Sequence, residues 1–461
     1  MNPSRHLNGT ILRLLCLCLA TVAASAKING QSLQEPTREQ LLNRLNVLFW
    51  QRNGEPNVFL KLRVQSGAAF DLAGKGGTMA LLGDILFPDP STREYVAEEL
   101  GGRLEVKTDY DAIDITISGK ASEYERMVEF LRTALVTTQL TPENVAKARE
   151  SRIKQMTSRP RSASEIADDA VAARLFGRFP YGHPTGGSLE TVTKVDRADL
   201  LLARERFLNP DSSTLVVIGG IEKPRAMRAL RQLLGQWRKG DQIVPATFRP
   251  PDAPDARVLV VNQNGMTSAE VRLAVRGLAR SDRDYASALL LSLIARDRWR
   301  AAMTETSSGF VRNQSYALPG MFLIGASVPP ASAAKVVTAA HDLMNALISA
   351  PPSQSEIEHA RNEVLADLGR QSSQTESIAD AWLDNESYKL PPFGEQVSTV
   401  RTLTAADMHR VAVRLFKVAN VASVVVGNSG ELKANLGSTV ELFVEAPPKQ
   451  VPVSVTPASK P

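Results

Sequence analysis

Cysteine is almost missing from this 461-residue chain, and its two copies, Cys16 and Cys18, both fall in the first apolar stretch. Beyond that stretch, disulfides, thiolate metal sites and cysteine nucleophiles are excluded together, so the fold is held by its core alone. Histidine is scarce as well. Its five copies are His6, His183, His341, His359 and His409, and no two lie four positions apart. A helix-borne H-x-x-E-H or H-E-x-x-H zinc motif is therefore absent. The formal net charge is +5, but acids and bases alternate, and no run of Lys and Arg interleaved with aromatics occurs. That pattern excludes nucleic acid as a partner. After the first apolar stretch, no segment approaches the roughly 18 continuous apolar residues of a membrane helix.

What is present reads as globular. The chain is 43% hydrophobic and 22% charged, ordinary values for a packed protein. Its length suits two domains of about 200 residues each. The N-terminus reads as a secretory signal. Arg5 and Arg13 supply positive charge, residues 11–24 are apolar apart from Arg13 and Thr21, and Ala24-Ser25-Ala26 offers a cleavage site before Lys27. The alternative is a retained membrane anchor. A lipoprotein signal does not fit, because neither cysteine sits in a lipobox. The expected location is the periplasm or outside the cell.

The most informative feature is a duplication of long period. Both halves open with two strand-like runs around a turn: residues 46–50 and 58–66 around Asn53-Gly54, and residues 257–262 and 270–275 around Asn264-Gly265. Alternation such as Leu60, Leu62 and Val64 argues for strands, and each pair reads as a hairpin. An apolar helix follows each hairpin, at 76–87 and 284–295, and then an amphipathic helix. Two more strands come next, at 103–108 and 112–118 in the first half and at 309–315 and 320–327 in the second. Long helices then begin at the caps Thr141-Pro142 and Ser353-Gln354. Thr191-Val192-Thr193 answers Thr399-Val400-Arg401, and residues 213–219 answer 422–427 as a closing buried strand.

The expected fold class is α+β, with two homologous domains, each a mixed or antiparallel sheet covered by helices on one face. The expected boundaries are a signal peptide at 1–26, domains at 27–245 and 256–446 joined by a Pro-rich linker at 245–255, and a disordered tail at 447–461.

This layout resembles the zinc peptidase family of pitrilysin, insulin-degrading enzyme and the mitochondrial processing peptidase. Four segments carry the resemblance beside the duplication. They are residues 76–87, the glycine turn Leu100-Gly101-Gly102-Arg103, the loop Phe179-Pro180-Tyr181-Gly182-His183-Pro184 with Gly186-Gly187, and the strand 215–219. Active members carry H-x-x-E-H on the first of these, with two histidines as zinc ligands and the glutamate as general base. Here the matching positions hold Ala80, Gly83 and Asp84. The third ligand, a glutamate in the family, falls near Gln155. Active members also stabilise the oxyanion with an Arg and a Tyr from the second half. The matching positions here are Glu305 and Arg312, or Thr304 and Val311 one residue earlier.

The resemblance thus implies a member without the zinc motif: no catalytic residues, no metal ligands and no cofactor. It places peptide on the strand 103–108, where Leu104, Val106 and Thr108 are the candidate substrate-binding residues. It implies a hetero-oligomer with an active homologue that carries the zinc motif, acting on peptide substrates. Arg298, Arg300 and Arg312 are candidate cations of the shared chamber. A stand-alone envelope protein that binds peptide, and an active metallopeptidase with unusual ligands, are the alternatives. Of the histidines, His341 reads as packing or surface, His359 and His409 as solvated, and loop-borne His183 as the one with a functional reading.

Overall fold

The computed structural model describes residues 33–240, 248–303, 308–436 and 440–445. The expected signal segment and tail lie outside the described residues, as do residues 304–307 and the start of the linker.

The first half runs β1 (Thr37–Gln40), β2 (Asn46–Gln51), β3 (Asn57–Val64), α1 (Thr78–Ile85), α2 (Pro90–Glu98), β4 (Arg103–Thr108) and β5 (Ile113–Lys120). It continues with α3 (Tyr124–Arg132), α4 (Pro142–Ser158), α5 (Ala163–Phe176), α6 (Leu189–Lys194), α7 (Arg197–Phe207), β6 (Ser213–Gly219) and α8 (Lys223–Leu234). The second half runs β7 (Val258–Asn262), β8 (Ala269–Arg276), α9 (Tyr285–Ala302), β9 (Ser308–Gln314), β10 (Met321–Val328), α10 (Ala333–Ser349) and α11 (Gln354–Gln371). It closes with α12 (Thr375–Tyr388), α13 (Phe393–Thr402), α14 (Ala405–Phe416), β11 (Ala422–Gly427), α15 (Ser429–Leu436) and β12 (Val440–Glu445).

Each half builds one mixed six-stranded sheet. The strand orders are β1-β2-β6-β3-β5-β4 and β12-β7-β11-β8-β10-β9. Five consecutive places match between the two, so the duplication in sequence is a duplication in topology. The expected hairpins are split, however. β6 lies between β2 and β3, parallel to the first and antiparallel to the second, and β11 separates β7 from β8 in the same way. The reason lies in composition. Ser213–Gly219 and Ala422–Gly427 are apolar runs buried at every residue, and such a run takes the middle of a sheet.

Two helix expectations also divide. The caps stand as read: Thr141 Oγ1 accepts from the Asn144 amide, and Ser353 forms a capping box with Glu356. In the second half, by contrast, the separate amphipathic helix is missing. α9 runs unbroken through Tyr285–Ala302, where Pro88 and Pro90 break the first half into α1 and α2.

Each sheet has its own helices on one face, as expected, and a helix of the other half on its second face. α5 packs on β8 and β11, and α12 packs on β3 and β6. The alternation of β6 shows why: Leu215 and Val217 belong to the core of the first half, while Val216 and Ile218 meet Ile378, Trp382 and Leu383 of α12. In β11, Val425 faces its own core, and Val424 and Val426 meet Val171 and Leu175 of α5. The two clasps share an ionic device. Arg63 of β3 donates to Asp384 of α12 at 2.7 Å, and fully buried Arg272 of β8 donates to Asp168 of α5 at 2.5 Å.

Candidate functional site

α1 stands where the resemblance places a metal helix. Its N-cap, Gly77, has φ +93°, and a Cβ there would lie 2.7 Å from the Gly186 carbonyl. Only glycine serves both demands. Asp71 caps the helix from outside, accepting from the Gly77 amide at 2.6 Å and the Met79 amide at 2.8 Å. Burial pushes the Asp71 carboxyl up to about 6, against the opposing pull of these two amides, His183 and Arg152.

The face of α1 that would carry ligands is occupied. Ala80 is buried. A Cβ on Gly83 would lie 2.9 Å from Thr108 Oγ1 and 3.3 Å from Val106 Cγ1, so β4 fills the space a general base would need. Asp84 accepts from Arg152 Nε at 2.8 Å, and Arg152 Nη2 donates to the Ala80 carbonyl at 3.3 Å. A Cβ on Gly186 would come within 3.1 Å of Arg152 Nη1, so the guanidinium is wedged between α1 and that loop.

Gln155, placed near the third ligand by sequence, is exposed. Arg152, one turn earlier on α4, is the residue that meets α1. The signal that could have found it was an arginine on one helix opposite an aspartate at the site position of the other. The residues do not fit zinc. A fixed cation already neutralises Asp84, and among the described residues no group of three His, Cys, Asp or Glu could hold a metal ion.

Leu104, Val106 and Thr108 share the face of β4 turned to α1. Leu104 lies in the core, Val106 packs against it, and Thr108 reaches Gly83. Arg103, Glu105 and Lys107 are exposed, and Arg103 pairs with Glu376 of α12. β4 ends its sheet, bonded to β5 alone. Its outer backbone edge has no strand partner among the described residues.

The expected chamber cations of the second half are mostly paired. Arg298 binds Glu356 at 2.7 and 3.0 Å. Arg312 binds Asp168 at 2.9 Å and stacks 4.2 Å from the Phe310 ring. Arg300 is exposed. Glu305 lies outside the described residues. His183 packs its ring edge-on to Tyr110, whose hydroxyl donates to the His183 carbonyl at 2.7 Å. His341 and His359 are exposed. His409 departs from the solvated reading: its Nε2 meets the Ile348 carbonyl at 2.6 Å, tying α14 to α10.

A sequence profile described as the Peptidase M16 inactive domain matches residues 194–364. An uncharacterized zinc protease of Mycobacterium leprae is 22% identical over 221 residues, 47% of this chain and 50% of its own. Cytochrome b-c1 complex subunit 1 of Bos taurus is 21% identical over 253 residues, 54% of this chain and 52% of its own. The chain thus spans about half the length of these curated relatives. Among solved structures, a peptidase M16 inactive domain from Pseudomonas fluorescens superposes with a TM-score of 0.76 at 16% identity, covering 86% of this chain and 98% of that one.

Proposed function

Starting from a chain that belongs to the M16 peptidase family, we propose that it is a non-catalytic homologue and serves as the inactive subunit of a heteromeric peptidase, beside a homologue that carries the zinc motif. The Arg152–Asp84 pair carries this reading. Asp84, where active members carry a zinc-binding histidine, is paired with a guanidinium instead of a metal ion, and Thr108 packs over Gly83, where they carry the base. The fold is thereby kept without the chemistry. In keeping with pairing, the Bos taurus relative is by name one subunit of a complex.

In this reading peptide is held by strand addition at the outer edge of β4, where main-chain groups supply the affinity. Leu104, Val106 and Thr108 form the wall behind that edge, and Arg103, Glu105 and Lys107 line its exposed side. The N-terminal charges and apolar stretch support a location in the periplasm or outside the cell in this reading.

The test is a pull-down of the tagged chain from its own envelope fraction, followed by size exclusion and mass spectrometry. Co-elution of a chain with H-x-x-E-H supports the pairing. A monomer or homodimer alone refutes it and leaves a stand-alone envelope protein that binds peptide.

A further inference from the structure

The second half has its own counterpart of the degenerate metal site, and there the space is open. At matching distances from the caps Thr141 and Ser353, Val364 on α11 stands where Arg152 stands on α4. Around Val364, the helices α9, α11 and α13 and the turn after α12 enclose a cavity of about 510 Å³. That lies within the range of pockets that hold small organic ligands. Its floor is aliphatic: Leu289, Leu293, Val364, Leu368 and Val400. Three of these, Leu289, Leu293 and Leu368, are only partly buried although they pack against a buried cluster.

The charge at the rim is one-sided. Each acid of the lining has its own cation: Asp282 binds Arg414 at 2.7 Å, Glu363 binds Arg296 at 2.7 Å, and Asp367 binds Arg370 at 3.0 Å. Arg283 and Lys389, both exposed, form no salt bridge among the described residues, although Arg283 lies near enough to Asp282 to help hold its carboxyl below the usual range, behind Arg414. Lys389 is in the left-handed region at φ +54°, where it ends α12 and its amide donates to the Asn385 carbonyl.

Three of the neutral polar side chains of the lining are already engaged as donors. Gln371 donates to Asp367, Gln396 to Asn385 and the Pro391 carbonyl, and Thr399 to the Glu395 carbonyl. A peptide entering here would bury amides without partners, at a cost in affinity. A molecule with one anionic end and an aliphatic body would not.

We propose that this cavity binds an aliphatic carboxylate of the fatty-acid class. Its chain lies along Leu289, Leu293 and Leu368, and its carboxylate meets Arg283 and Lys389 at the mouth. The site is independent of any pairing through the first half.

The experiment is calorimetric titration of the full chain with dodecanoate, dodecan-1-ol and trileucine. Dodecanoate binds saturably at one per chain. Arg283→Glu with Lys389→Glu, both on the surface, weakens dodecanoate at least tenfold and leaves dodecan-1-ol unchanged. Leu293→Trp, which fills the cavity, abolishes both. No saturable binding of dodecanoate, binding indifferent to the charge-reversed pair, or tighter binding of trileucine than of dodecanoate would overturn the proposal.

Discussion

Arg152 reaches across from α4 to α1 and binds Asp84 at 2.8 Å, with a side chain more buried than that of its partner, 17% exposed against 34%. A cation is thus built into the chain beside the helix where the resemblance places a metal site.

The first prediction follows from that pair. Purified protein contains no stoichiometric zinc, and Ala80→His with Asp84→His does not introduce it, because the Arg152 guanidinium repels a divalent ion and no third ligand is present. Elemental analysis after dialysis decides this. One zinc per chain, in either protein, contradicts it.

Gly83 and Thr108 are expected to be coupled. Alanine in a helix is favoured over glycine by about 1 kcal/mol, but overpacking costs about 1–3 kcal/mol. A Cβ placed 2.9 Å from Thr108 Oγ1 tips Gly83→Ala toward lower stability. In a Thr108→Ala background the shortest contact is gone and only Val106 Cγ1 at 3.3 Å stays close, so the same substitution costs less than in the parent. A double-mutant cycle by urea denaturation reads the coupling. Additive effects would mean that β4 yields freely.

Arg272 should be among the most sensitive positions of the seam between the halves. Its side chain is fully buried and binds Asp168, Glu270 and Ser164. Arg272→Ala leaves buried Glu270 without its cation, while Asp168 keeps Arg312, and loss of a buried partner costs about 3–5 kcal/mol. A lower thermal midpoint with faster proteolysis at the ends of α5 is the expected result, and a change below about 1 kcal/mol would contradict it.

Asp71 predicts a pH dependence. Its carboxyl is pushed up to about 6 by burial, above the ordinary value of about 4. The folded state therefore binds this proton more tightly than the unfolded state does. The contribution to stability is complete below pH ~4 and is lost as the pH rises through about 6. Asp71→Asn removes this slope, so stability between pH 4 and 6 is flatter in the variant than in the parent. Equal slopes in denaturation series across that range would remove Asp71 as the cause.

Much of the fold was legible in the chain. The strands β4 and β6 were read residue for residue, and the caps Thr141 and Ser353 marked the starts of α4 and α11. These are local signals: alternation, side-chain capping and proline follow from neighbours a few residues apart. The empty positions Ala80, Gly83 and Asp84 were equally plain, since a missing ligand needs no structure to be seen.

The site read less well because its contents come from afar. Counting along the helix points to Gln155, whereas the residue that meets Asp84 is set by the rotation of α4 against α1. Thr108 filling the place of the base is likewise a contact between a helix and a strand that are separated in sequence.

The sequence by itself determined that the chain is duplicated, α+β and without the zinc motif, because repeats and absent residue types are properties of order and composition. Only the tertiary structure decided that β6 and β11 split their hairpins, that α5 and α12 cross to the opposite sheet, and that Arg152 binds Asp84. Each of these was settled by which apolar faces and charges could be buried together across 50 residues or more, where the free energy depends on packing rather than on neighbours along the chain.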